Sequence, residues 1–168
     1  ATPLAKTHII GFTLQYELSC TNILTMLRQA TIPLRAADRD QSWPLIIGGG
    51  PGGYNPEPLA PFFDAFLIGD GEEAVIEIAN LVQDWKTSAS RDKQELLEKL
   101  SAINGVYVPS FFKVAYQADG RIASVQALKP DYTTVRRRFL PDIEAATFPD
   151  SPIIPFMKTI HDRVAIEV

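Results

Sequence analysis

Apolar positions along the chain switch between two periods, and the switches outline its elements. HIIGFTL, His8 to Leu14, is a short β-branched run that predicts a strand buried on both faces. From Ser19 the set Cys20, Ile23, Leu24, Leu27 and Ala30 recurs at helical spacing, with Ser19 or Thr21 placed to cap the first amides. PLIIGG and DAFLIGD, beginning at Pro44 and Asp64, supply a second and a third strand. Helical spacing returns with Val75, Ile78, Ala79 and Val82 and runs to Trp85. A further helix carries Leu96, Leu97, Leu100 and Ile103, starting after Ser90 and stopping before Gly105, read as its C-terminal cap residue. No proline lies between Pro61 and Pro109, which leaves room for these two helices.

Strand and helix in alternation, with apolar strands, predict an α/β fold: a partial Rossmann or flavodoxin-like parallel sheet with flanking helices over residues 5–105. Over 106–130 the pattern alternates on both sides of Asp119-Gly120, predicting a β-hairpin. Residues 131–162 read as an extended, proline-rich linker. RVAIEV, 163–168, begins a new strand-like run with no turn or cap behind it. It suggests a chain cut in mid-element, a fragment of something longer; the alternative is a native terminus that pairs at a sheet edge.

The 46% hydrophobic content of 168 residues suits one domain with a packed core and a small appendage. A net charge of −4 argues against gripping nucleic acid by bulk charge, and leaves Arg136, Arg137 and Arg138 as the one basic run. Such a run reads first as a solvated face. The single cysteine, Cys20, excludes an internal disulfide and cannot alone hold zinc or an iron–sulfur cluster. A reducing, cytoplasmic setting fits. No stretch reaches the roughly 18 apolar residues of a membrane span.

Candidate chemistry gathers at two glycine-rich elbows that follow the second and third strands, where open parallel sheets bind ligands. The first holds Gly48, Gly49, Gly50, Gly52 and Gly53; the second holds Gly69, Asp70 and Gly71, with Glu72 and Glu73 behind. Glycines at such ends let backbone amides approach a ligand, or only turn a tight corner. GGGPGG satisfies G-x-G-x-x-G, with Asp70 placed as a ribose-binding acid would be. A dinucleotide site, however, needs a full helix after the third glycine, and Pro56, Pro58 and Pro61 crowd that stretch. The acids of the second elbow suit a helix N-terminus without any function. Neither His8 nor His161 has the spacing of a triad or a zinc motif.

Four blocks in order, IIGFTLQYELSCTNILTMLRQATIPLRAADR, GGGPGGYNPEPLAPFFDAFLIGDGEE, NGVYVPSFF and the closing IHDRVAIEV, resemble the N-terminal part of a family of radical S-adenosylmethionine proteins that carries a cobalamin-binding-like domain. The resemblance covers nearly the whole chain. It implies that HDRVAIEV opens the first strand of a radical barrel, just before the C-x₃-C-x₂-C motif that ligates a [4Fe–4S] cluster. It implies, too, a cluster and S-adenosylmethionine in that downstream barrel, which is the expected partner of this domain, and no radical chemistry from this chain alone.

Cobalamin-binding domains also carry a histidine that takes the cofactor's lower position, in a D-x-H-x-x-G loop, together with a Ser-x-Leu strand end and a Gly-Gly pair that makes room for the nucleotide tail. Here Lys6 stands where the aspartate would orient His8, and Thr13-Leu14-Gln15 departs from Ser-x-Leu. Thr13 lies near the serine's place and Gly48-Gly49 resemble the pair. Two readings stay open: an accessory domain that binds cobalamin through Thr13 and the elbows, covering the radical site, or a degenerate scaffold for a protein or RNA substrate. Dinucleotide binding stands behind both.

Overall fold

A computed structural model describes residues 2–142 together with Glu144 and Ala146. The predicted strand at 163–168 and most of the last block of the linker lie outside the described residues. Four strands form one sheet in the order β1 (Ile9–Thr13), β2 (Leu45–Gly49), β3 (Ala65–Leu67) and β4 (Val106–Tyr107). The first three run parallel, and β4 pairs antiparallel with β3. The expected α/β architecture, with a separate antiparallel hairpin, is what the chain adopts.

Alternation in the strands divides the core between the two faces of the sheet. Ile10, Ile46, Phe66 and Tyr107 pack on one face with Ile23 and Leu27 of α1 (Cys20–Gln29) and with Leu59 from a 3₁₀ stretch at Glu57–Phe62. Leu45, Ile47, Ala65 and Val106 pack on the other, against α2 (Ala74–Thr87) and α3 (Lys93–Ser101). Each large apolar side chain so enclosed contributes about 1.5–3 kcal/mol relative to exposure. Cover is complete at β2, whereas β1, expected to be buried on both faces, is buried only at Ile10 and leaves Gly11 and Thr13 exposed, because it stands at the edge of the sheet.

Three local readings need correction. Ser19 does not cap α1; its hydroxyl donates to the carbonyl of Tyr16 at 2.6 Å. The helix after Ser90 begins at Lys93, capped by Asp92, whose carboxylate accepts the Gln94 amide at 2.9 Å. It ends at Ser101, so Gly105 lies beyond the cap position and answers a different need, described below. Val106 and Tyr107 leave the hairpin and close the main sheet, because both side chains are buried there. The hairpin itself is β5 (Phe112–Tyr116) and β6 (Ile122–Ala127), turning at Gly120 with φ +84°.

A single phenol fastens the chain after the hairpin to β4. The Tyr132 hydroxyl donates to the Val106 carbonyl at 2.5 Å and accepts the Val108 amide at 3.1 Å. Burial pushes its pKa up to about 12. From that anchor the chain climbs to the carboxyl ends of the parallel strands.

Candidate functional site

Thr13 and the first elbow do come together. Thr13 faces Gly49 in the β1–β2 register, and the Leu14 amide donates to the Gly49 carbonyl at 2.7 Å. Gly50, at φ +84°, folds the chain back over the end of β1, where a Cβ would stand 3.0 Å from Thr13 Cγ2. The Gly52 amide then donates to the Leu14 carbonyl at 2.6 Å, and the Gly53 amide to the Gly50 carbonyl at 2.9 Å. Gly49 and Gly53 border the Leu67 carbonyl at the end of β3. The amides of Gly52 and Gly53 are thus spent on carbonyls of the chain itself.

Space is spent as well. A Cβ on Gly48 would lie 2.7 Å from the Phe66 ring and 3.2 Å from Leu14 Cδ1, so those two side chains fill the hollow the glycine leaves. A Cβ on Gly52 would meet the Leu14 carbonyl at 2.8 Å. The hollow beside Gly48, which a cofactor's nucleotide tail would need, is occupied in this arrangement by those two side chains. The helix that a dinucleotide site requires is missing too: Gly53 lies within a 3₁₀ turn at Pro51–Tyr54, a second such turn follows at Glu57–Phe62, and the next α-helix opens only at Ala74. Among the described residues no α-helix opens at this loop. His8 precedes β1, where its carbonyl accepts the Leu45 amide at 2.9 Å.

The second elbow is occupied by a later part of the same chain. Gly69 and Arg138 form a parallel bridge, in which the Arg138 amide donates to the Ile68 carbonyl at 2.8 Å and the Asp70 amide to the Arg138 carbonyl at 3.2 Å. Gly69, at φ +105°, has no room for a side chain, since a Cβ would overlap the Arg138 backbone. Gly105 meets the same neighbour: its Cβ would stand 2.8 Å from that of Arg138. The Asp70 carboxylate accepts the Leu140 amide at 2.7 Å, so it too is engaged by the later part of the chain. Gly71 borders only the Leu67 side chain.

Acids behind this elbow hold the same strap. Arg138 donates to Glu73 at 2.8 Å and to Glu77 at 2.6 Å, across the first turn of α2. Its guanidinium pKa is raised, chiefly by those two hydrogen bonds. Arg136 and Arg137 remain exposed, so the basic run divides into one structural residue and two solvated ones. Among the described residues no group of three or more histidine, cysteine or acidic side chains is arranged to hold a metal ion. None of the described helices is long and apolar enough to cross a membrane.

Both elbows, then, are built as joints between backbone segments. A family model for the N-terminal region of radical SAM proteins matches residues 1–109. The chain belongs to that family. No curated protein and no solved structure matches it. In radical SAM proteins the [4Fe–4S] cluster and S-adenosylmethionine belong to the catalytic domain, and the matched region covers the whole main sheet of this N-terminal domain.

A charged cluster that sequence reasoning passed over lies at the opposite end of the radical SAM N-terminal domain, where β2 and β3 begin. Asp64, its side chain 1% exposed, accepts from Arg39 at 3.1 Å, from Lys93 at 2.8 Å and from the Ile46 amide at 2.8 Å. Arg39 also donates to the carbonyls of Pro33, Leu34 and Phe62, each at 2.9 Å. A signal was present in PFFDAFL, where one acid interrupts an otherwise apolar run. Nearby, the Tyr107 hydroxyl donates to Glu57, and burial first, then that bond, holds the phenol protonated well above its usual range.

Proposed function

We propose that this domain is a non-catalytic accessory module of a radical SAM enzyme, a scaffold that carries the chain downstream of it across the carboxyl ends of its own strands, so as to cover the catalytic domain. The observation that carries this reading is the Arg138 strap. Gly69 and Gly105 yield their side-chain space to it, and Glu73, Glu77 and Asp70 are committed to it. Residues that looked like ligand-binding machinery serve a covalent continuation of the chain. That is the behaviour of a scaffold.

Hydrogen exchange tests the reading. The amides of Arg138 and Leu140 are expected to exchange about as slowly as those of β3, and Arg138→Gln to speed both by roughly five- to tenfold, the effect of a partly exposed ion-pair network of about 1 kcal/mol. Exchange of these amides at the rate of an open linker in the unaltered protein would defeat it. Cobalamin binding is the second reading. Its support is that Thr13 and Gly48 to Gly53 stand side by side at the strand ends; the Phe66 ring against Gly48 weighs against it.

A further inference from the structure

Large apolar side chains stay exposed on every connection that leaves the carboxyl ends of the parallel strands. Tyr16 and Leu18 stand between β1 and α1, Tyr54 on the turn after β2, Val75 and Ile76 in the first turn of α2, and Phe139 on the strap beside β3. Each is at least half exposed. At the opposite end the Arg39–Asp64–Lys93 cluster borders a cavity of about 460 Å³, yet the stretches leading into β2 and β3, residues 30–44 and 55–64, expose no large apolar side chain. Those stretches are no poorer in such residues. Their Ile32, Leu34, Trp43, Leu59, Phe62 and Phe63 are all buried or half-buried.

These connections are bonded into one rim. The Gly52 amide ties the turn after β2 to Leu14 at the end of β1, and Gly53 borders the Leu67 carbonyl of β3. Arg138 ties the strap to Gly69 and, through Glu73 and Glu77, to the first turn of α2. Side chains of this size, so exposed, present apolar area on the order of several hundred Å². That is the scale of one partner's share of a standard interface, roughly 800 Å². Exposed Arg136 and Arg137 are matched in number by exposed Glu17 and Glu72, so no surplus of positive charge at the rim draws a nucleic acid. The course of the chain points to the occupant. Leu140, its amide on Asp70, holds the outgoing chain at this rim, and in the matched family a catalytic domain follows the N-terminal region. A domain tethered there meets the rim at high effective concentration.

We infer that this rim is the seat of the radical SAM catalytic domain of the same protein, held by apolar contact on Tyr16, Leu18, Tyr54 and Phe139. The inference rests on the reading of the domain as an accessory module and adds the surface through which it acts. Hydroxyl-radical footprinting of the natural chain that includes the catalytic domain tests it. Three tyrosines of the N-terminal domain by itself are exposed alike, Tyr16 at 60%, Tyr54 at 57% and Tyr116 on the hairpin at 61%, so the third serves as the reference. The expected result is oxidation of Tyr16 and Tyr54 at least fivefold slower than that of Tyr116. Leu18→Asp with Phe139→Asp places two carboxylates in the contact, where burying them unpaired is costly. Both sites are exposed in the N-terminal domain, so the fold persists, as circular dichroism with a thermal melt checks, and the two tyrosines return to within twofold of Tyr116. Equal rates in the unaltered chain, or slow rates retained in the folded double variant, would overturn the inference. The scaffold reading would then still stand on slow exchange of the Arg138 and Leu140 amides, whereas fast exchange there would remove both. Protection that appears only when RNA is added would assign the rim to nucleic acid and overturn the inference as well.

Discussion

The two ends of the sheet solve opposite problems with similar-looking residues. At the carboxyl ends, glycines and acids suggest openness, yet Leu14 and Phe66 pack tightly against Gly48 and Gly52 of the first elbow and Arg138 against Gly69 of the second. At the amino ends an apolar stretch hides a buried ion cluster beside an open cavity. Gly48, Gly52, Gly69 and Gly105 mark places where protein meets protein most closely, and charge marks the place with room to spare. The presence of glycine at strand ends therefore shows close approach, without saying what approaches.

That contrast can be broken at either end, most severely at the amino end. Asp64→Ala leaves Arg39 buried beside Lys93 with no counter-ion and is expected to cost about 3–5 kcal/mol, measured by urea unfolding. Gly69→Ala forces an alanine to φ +105° and into the Arg138 backbone. The expected loss is about 2–3 kcal/mol, accompanied by fast exchange of the Arg138 and Leu140 amides.

Alkali should act next. Tyr132 and Tyr107 both have raised pKa values, Tyr132 to about 12, so the folded state favours their neutral forms. Their contribution is complete below the unfolded value of about 10 and is lost as pH rises from there toward 12 and beyond. A pH series of urea midpoints should fall over that window, and Tyr132→Phe should flatten part of the fall. Removing the strap's charge by Arg138→Gln is smaller, about 1 kcal/mol, since Glu73 and Glu77 are half exposed. Gly71→Ala closes the series at under about 0.5 kcal/mol: its Cβ would stand 3.6 Å from Leu67 Cδ2, ordinary contact, and its φ is not positive. A Gly71 effect as large as that at Gly69 would erase the distinction between a required glycine and an incidental one.

Much of the fold was legible because it rests on local periodicity. The strands at Ile9, Leu45 and Ala65, the helices and the Asp119-Gly120 turn all follow from patterns within a short window. What escaped depends on long-range contact. Nothing near Val106 and Tyr107 distinguishes a hairpin strand from the edge of a distant sheet, and nothing in Arg136, Arg137 and Arg138 singles out the third to meet Glu77, 61 residues earlier. At the candidate site the sequence located the elbows at the strand ends but could not say that Phe66 would lie over Gly48. Asp64 was the reverse case. Its charge within PFFDAFL was visible, but its partners Arg39 and Lys93 stand far away in the chain on either side.

The central claim is that the carboxyl-end elbows are closed by the protein's own residues, and a cobalamin titration tests it most directly. The chain is mixed with excess cobalamin, passed through gel filtration and read by visible absorbance. The account predicts a colourless protein peak, for the unaltered chain and for Gly48→Val alike. Co-elution of one cobalamin per chain, lost in a folded Gly48→Val variant, would contradict it and restore the first elbow as the wall of a cofactor pocket.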